Sequence, residues 1–309
     1  MMALAYGRST GFAVDPIEKK PLNHFHPGTT VLSFGTAGCN LGCRFCQNWD
    51  ISKARLAERR AQVMNPTQVV DLAIENGCPS IAFTYNDPVI WAEYAIDVAR
   101  EARARGVKTV FVSAGYVCPE PREEIFAHMD AANIDLKAFT EDFYRRVTLS
   151  HLAPVLETLE WLARTGRVWT EVTNLVIPGH NDEPVESRAL AEWILEHMGP
   201  QVPLHFTAFH PDYRMLDVSR TPPATLTRAR EVARAVGLRH VYTGNVHDPD
   251  GQTTCCTGCG EPLIERDWMA VVSSVLDDGA CPRCGTRLAG RFGTGGIRPS
   301  AGTRRFVRA

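Results

Sequence analysis

The 309 residues are 44% hydrophobic and 22% charged, enough apolar material for one large domain, or for one domain plus a small module. A formal net charge of −2 excludes a global attraction to nucleic acid or to an anionic membrane. No apolar run approaches the ~20 residues that span a bilayer, and Met1 to Gly11 show no basic stretch followed by an apolar core, so the expectation is a cytoplasmic protein without a signal peptide.

Residues 1–30 read as an irregular arm, with turn signals at Asp15-Pro16, Lys20-Pro21 and Pro27-Gly28. Strand and helix signals then alternate. Val31–Gly35 predicts a first strand that runs into a cysteine loop. Asn65-Pro66-Thr67-Gln68 predicts a helix start, with a cap residue, proline at the first position and Gln three after the cap; the helix ends near Gly77. Ser80–Thr84 is a second strand, and Trp91, Ala95, Val98 and Ala102 share a helical face that ends at Gly106. Val107–Val112, Asn133–Leu136, Val168–Ile177 and Val202–Phe209 are the third to sixth strands. Pro121–Met129, His151–Thr165 and Glu183–His197 are the helices between them. Thr221-Pro222 opens a helix through Val236, and His240–Tyr242 is a last short strand. This alternation implies parallel βαβ units, about six of them, in an open sheet or an incomplete (β/α) barrel. Both place chemistry at the C-terminal ends of strands. The expected divisions are an arm (1–30), a barrel (31–245), a cysteine-bearing module (246–292) entered through the polar linker Val246–Thr254, and an Arg-rich disordered tail (293–309).

Ten cysteines in a reducing compartment point to metal rather than to disulfides. Cys78 and Cys118 stand alone and read as small buried or loop-edge residues. Cys39, Cys43 and Cys46 form C-x3-C-x2-C, which lets three thiolates reach three corners of one iron–sulfur cubane and leaves one iron open. Gly35, Gly38 and Gly42 let the backbone wrap tightly there. The rival is zinc, with His24 or His26 as fourth ligand. Cys256, Cys259, Cys281 and Cys284 form two C-x2-C-G knuckles, the pattern of a closed tetrahedral zinc ribbon, with a second iron–sulfur cluster as the rival. A module this small is expected to need its metal to fold, and to unfold alone while the barrel survives.

The segment Ser33-Phe34-Gly35-Thr36-Ala37-Gly38-Cys39-Asn40-Leu41-Gly42-Cys43-Arg44-Phe45-Cys46-Gln47-Asn48-Trp49-Asp50-Ile51-Ser52 resembles the AmmeMemoRadiSam-system radical S-adenosylmethionine (SAM) enzymes, relatives of the pyruvate formate-lyase activating enzymes. The arm Asp15–Leu22, the stretch Glu171–Gly179 and the C-terminal module also fit, so the likeness runs to about Phe292. One departure is that many members carry a cysteine-bearing stretch ahead of the position of Tyr6-Gly7-Arg8, which this sequence does not show.

The resemblance implies a partial (β/α)6 TIM-like barrel of the radical SAM type with a small zinc-ribbon-like C-terminal module. It implies a [4Fe-4S] cluster on Cys39, Cys43 and Cys46 that reductively cleaves SAM to a 5′-deoxyadenosyl radical, which abstracts hydrogen from a substrate. By the same resemblance Asn86 and Asp87 replace a Gly-Gly-Glu motif at the SAM amino group, though Asp87 also reads as a helix cap before Pro88. Ser113 sits in a ribose-contacting turn, or a plain one. Asp135 and Lys137 share a strand face and flank SAM, or form a structural ion pair. Thr173 or Asn174 touches the SAM carboxylate or ribose, His210 approaches the ribose, and Phe45 packs near adenine. Implied partners are an electron donor such as flavodoxin or ferredoxin and a partner protein as substrate. RNA and small molecules are alternative substrates, and a metal-binding scaffold without turnover is the non-enzymatic alternative.

Overall fold

The computed structural model describes residues 4–54, 61–294 and 296–307. The first three residues of the expected arm, and residues 295, 308 and 309 of the expected tail, lie outside these. Among the described residues the strands are β1 (Arg8–Ser9), β2 (Phe12–Pro16), β3 (Thr30–Phe34), β4 (Gln62–Val63), β5 (Ser80–Phe83), β6 (Lys108–Ser113), β7 (Ala131–Asp135), β8 (Trp169–Val176), β9 (Leu204–Ala208), β10 (Val241–Gly244), β11 (Thr254–Cys255), β12 (Pro262–Asp267), β13 (Ala270–Ser274) and β14 (Arg305–Val307).

Nine strands form one sheet in the order β10-β9-β8-β7-β6-β5-β3-β2-β14, and β3 through β10 in it run parallel. Each parallel strand neighbours the next in the chain, so the order never reverses. That is the winding of a barrel wall and not of a doubly wound sheet. The barrel is partial, because β10 and β14 are edges. Parallel strands are covered on both sides, which explains runs such as Ser80-Ile81-Ala82-Phe83 that are buried throughout. The helices start where proline sets them. Asn65 accepts from the Gln68 amide at 2.9 Å while the Gln68 side chain accepts from the Asn65 amide at 2.9 Å, the expected capping box ahead of Pro66. The parallel strands fall where the sequence puts them, with β7 shifted to Ala131–Asp135 from the expected Asn133–Leu136. No described helix is long and apolar enough to cross a membrane.

Both ends of the chain depart from expectation. The arm contains β2, a fully buried strand paired antiparallel to β3. The tail contains β14, which pairs antiparallel to β2 with Phe306 opposite Ala13. The unpaired backbone of β2 draws in the tail, so a tail that reads as disordered closes the sheet edge. Arg305 is held by the Asn76 side chain at 3.0 Å. Residues 246–254 are also packed: a short helix spans Pro249–Gln252, and Gln252 is buried.

The ribbon, β11 to β13, sits against the barrel through a buried polar network. Glu171 accepts from the amides of Asn23 (3.0 Å) and His24 (2.8 Å), from Trp169 Nε1 (3.0 Å) and from His205 Nε2 (2.7 Å). His24 Nδ1 lies 2.6 Å from the Ala289 carbonyl and Nε2 lies 2.6 Å from the Tyr242 hydroxyl. A neutral ring satisfies both, with Nδ1 donating and Nε2 accepting. Burial pushes His24 from 6.5 down to about 4. The unfolded chain then binds a proton below pH 6.5 that the fold refuses, so stability falls as pH drops from about 6.5 towards 4. Urea unfolding is expected to show about 2 kcal/mol less stability at pH 5 than at pH 7 from this residue, and His24→Gln should remove that share and leave the share of the neighbouring His240, which burial pushes down to about 3. An unchanged slope in the variant would assign the acid sensitivity elsewhere.

Candidate functional site

The cysteine loop leaves β3 and is fixed by both backbone and side-chain hydrogen bonds. Gly42 N donates to Thr148 O (2.9 Å), Arg44 N to Val147 O (2.9 Å) and Gly38 N to Ile51 O (3.0 Å). A Cβ on Gly42 would lie 2.6 Å from Leu149 Cδ1, so only glycine lets the loop seat there. Lys53 Nζ donates to Leu41 O at 2.7 Å, and Asn40 Nδ2 to Tyr116 O at 3.0 Å. Asn86 is the main anchor. Its amide donates to Gly38 O (2.7 Å) and Thr36 Oγ1 (3.1 Å), and its carbonyl accepts from Thr36 N (3.1 Å) and Trp91 Nε1 (3.3 Å). Every polar atom of that side chain is occupied, so Asn86 positions the cysteine loop.

The loop walls a cavity of about 470 Å³ at the C-terminal ends of the parallel strands and running into the barrel. Cys39, Cys43, Cys46, Phe45, Asn86, Asp87, Ser113, Asp135 and Lys137 all line it. Asp87 does two jobs: it caps the short helix Pro88–Trp91 through Val89 N (3.2 Å), and it accepts from Ser113 Oγ (2.9 Å) and Ala114 N (3.0 Å). Burial pushes Asp87 above the usual carboxylate range. Lys137 Nζ lies 2.8 Å from Asp135 Oδ2 and 5.7 Å from the Phe45 ring centre. Burial opposes its charge, but Asp135 and Cys43 hold Lys137 above its ordinary value.

Two expected residues are elsewhere. Asn174 does not line the cavity; in β8, Thr173 and Leu175 face it, and the alternation turns Asn174 to donate to Leu136 O at 2.8 Å, tying β8 to β7. His210 lies beyond the end of β9, exposed, with Nδ1 2.8 Å from Pro211 O. The cavity wall also takes in Lys19, Lys20, Tyr85, Thr207, Asn245, Met269 and Arg304, which no spacing in the sequence marked.

A sequence profile described as the Radical SAM superfamily matches residues 34–191, half of the chain. The chain belongs to that superfamily. A protein of uncharacterized function from Methanocaldococcus jannaschii is 39% identical over 290 residues, 93% of this chain and 86% of its own length. A pyruvate formate-lyase-activating enzyme from Clostridium pasteurianum is 23% identical over 172 residues, 54% of this chain and 70% of its own. Among solved structures, a radical SAM methyltransferase from Sphaerobacter thermophilus aligns with a TM-score of 0.55 at 17% identity over 72% of this chain and 68% of its own, which shows a common radical SAM fold.

The family implies a [4Fe-4S] cluster and SAM, and the residues fit both. Three cysteines line the cavity, and no fourth cysteine and no histidine joins them among its described walls, a donor set that leaves one iron open. Neither histidine named for the zinc rival lines this cavity: His24 is engaged by Tyr242 and Ala289, and His26 lines a separate one beside Phe25 and Lys108. Burial pushes the Cys43 thiol up to about 12 and raises Cys39, so a bare thiolate is unfavourable there and a cation would offset it. Cys256, Cys259, Cys281 and Cys284 behave differently. Their sulfurs all lie within 4.8 Å of one another, close enough for one ion.

Proposed function

We propose that the chain reductively cleaves SAM and takes a hydrogen atom from a substrate held in the same cavity. The observation that supports it is the convergence of the three cysteines, Phe45 and the Asp135–Lys137 pair on one cavity. When bound, the cluster and SAM supply one-electron transfer and a 5′-deoxyadenosyl radical. The protein supplies the rest. Cys39, Cys43 and Cys46 hold three corners and leave the fourth for SAM. Lys137 would offer a fixed cation to the SAM carboxylate, and Asp135, which holds Lys137 at 2.8 Å, would be available to the ribose. The apolar walls at Leu41, Phe45, Val112 and Leu175 keep water from the reactive centre. A one-electron donor such as flavodoxin or ferredoxin reduces the site. The four ribbon thiolates hold a closed structural zinc.

Anaerobic, iron-replete protein given SAM and a reductant should release methionine and 5′-deoxyadenosine. Asp135→Ala and Lys137→Ala should each weaken SAM binding roughly ten-fold, about 1.4 kcal/mol, at unchanged iron content. No cleavage by the wild type would sink the reading. Unchanged SAM affinity in both variants would leave the pair a purely structural role.

A further inference from the structure

The cavity has a second chemical end that the cluster and SAM leave unexplained. Lys19, Lys20 and Arg304 line it, and all three converge on one buried carboxylate, Asp15. Lys20 Nζ lies 2.7 Å and Lys19 Nζ 3.2 Å from it, Arg304 Nε lies 3.4 Å away, and the Tyr85 hydroxyl donates to it at 2.9 Å. Three cations against one carboxylate leave a surplus of two positive charges. The other acids on the cavity wall are engaged: Asp135 by Lys137, and Asp87 by Ser113, Ala114 and Val89.

Lys20 is only 2% exposed. Its ammonium has three donors, of which one meets Asp15, while the charge lies 4.8 Å from the Tyr85 ring centre. Burial pushes Lys20 down to about 8 against the opposing pull of Asp15. The surplus lies on Lys19 and Arg304, whose side chains are 26% and 34% exposed at the cavity wall, where an incoming anion can meet them. Tyr85 fixes its place: the Tyr85 carbonyl accepts from Asn48, two residues past Cys46, at 2.9 Å, and its hydroxyl reaches Asp15. The cation wall therefore stands one tyrosine away from the cysteine loop. Arg304 arrives from the far end of the chain, because pairing of β14 with β2 sets it beside Asp15.

We propose that Lys19, Lys20 and Arg304 form an anion subsite that seats the carboxylate or phosphate group of a small-molecule substrate and turns the rest of that molecule toward the cysteine loop. This rests on the hydrogen-abstraction reading of the cavity. The cavity is open on one side, with Met269 and Arg304 in its wall, so a small molecule can reach the cations from solvent.

The test is calorimetric titration of full-length, cluster-loaded protein in the presence of SAM, with inorganic phosphate in one arm and glutarate in the other. At least one should bind the wild type, and the preferred arm names the headgroup. Lys20→Met and Arg304→Gln should each weaken that binding about ten-fold. Asp15→Asn, which removes the neutralising carboxylate, should tighten it. Arg304 is a third exposed, so Arg304→Gln keeps the test intact where a Lys20 variant fails to fold. Binding of neither anion, or wild-type anion affinity in both folded cation variants, overturns the subsite. So does a parallel loss of SAM affinity in Lys20→Met, which would place the trio on the cofactor. An iron-replete wild type that binds anions in this pattern without cleaving SAM would defeat the proposed function and leave the subsite standing.

Discussion

Cys43→Ser is expected to empty the first metal site of iron, abolish SAM cleavage and leave the ribbon's metal in place. Cys43 is buried, and its two chain neighbours are pinned by backbone hydrogen bonds to Thr148 and Val147, so the loop keeps its path when the sulfur is exchanged for oxygen. What is lost is a soft ligand at one corner, and the remaining pair, Cys39 and Cys46, cannot hold a cubane against solvent. The ribbon cysteines lie on other strands and loops and share no ligand with this site. Metal analysis should show iron and sulfide gone with the second metal unchanged, and far-ultraviolet circular dichroism should match the wild type. Iron retained in the variant would remove Cys43 from the ligand set. Loss of both metals together would show that the two sites are coupled.

The reach of the sequence follows from how local each signal is. The parallel strands and their helices announce themselves within ten to fifteen residues, through apolar runs, caps such as Asn65 and prolines in first turns. The cysteine triplet is equally local. The choice between Thr173 and Asn174 is one of strand alternation, which a single-residue shift in register reverses. His210 drew attention as a residue just past a strand, but β9 stops at Ala208 and Phe209 takes the core, so the chain has already turned outward. The ends of the sheet could not be read. β2 carries Asp15-Pro16, which looks like a turn, and β14 is three residues among glycines and arginines that order by pairing some 290 positions away. Lys20, Tyr85, Met269 and Arg304 meet only after four distant segments are folded together, so no spacing records them.

The ribbon shows the same limit. Its size suggests an independent unit, yet removing its metal through Cys281→Ser with Cys284→Ser is expected to weaken the barrel as well. Arg266 of β12 is 3% exposed inside the barrel base, where it donates to Asn23 O (2.8 Å), Gln252 O (3.1 Å) and Thr254 Oγ1 (2.9 Å), and its Nε lies 3.8 Å from Glu18. His26 N donates to Arg291 O and Arg291 N donates to His24 O, each at 2.7 Å, and a Cβ on Gly28 would lie 2.5 Å from Arg298 O, so the chain beyond the ribbon is pressed onto the arm. Four-thiolate metal binding contributes on the order of 10 kcal/mol to such modules, more than this small core supplies. Once the ribbon opens, Glu18 loses Arg266, and Asn23 O and Thr254 Oγ1 lose a buried donor. Breaking a buried pair in this way costs about 3–5 kcal/mol. The barrel transition should therefore fall by roughly 10 °C, and SAM cleavage should drop as Met269 leaves the cavity wall. Arg266→Met isolates the cause: it should reproduce the lower transition with the ribbon metal still bound. Two separate transitions in the double variant, with the barrel melting as in the wild type, would restore the picture of two independent modules.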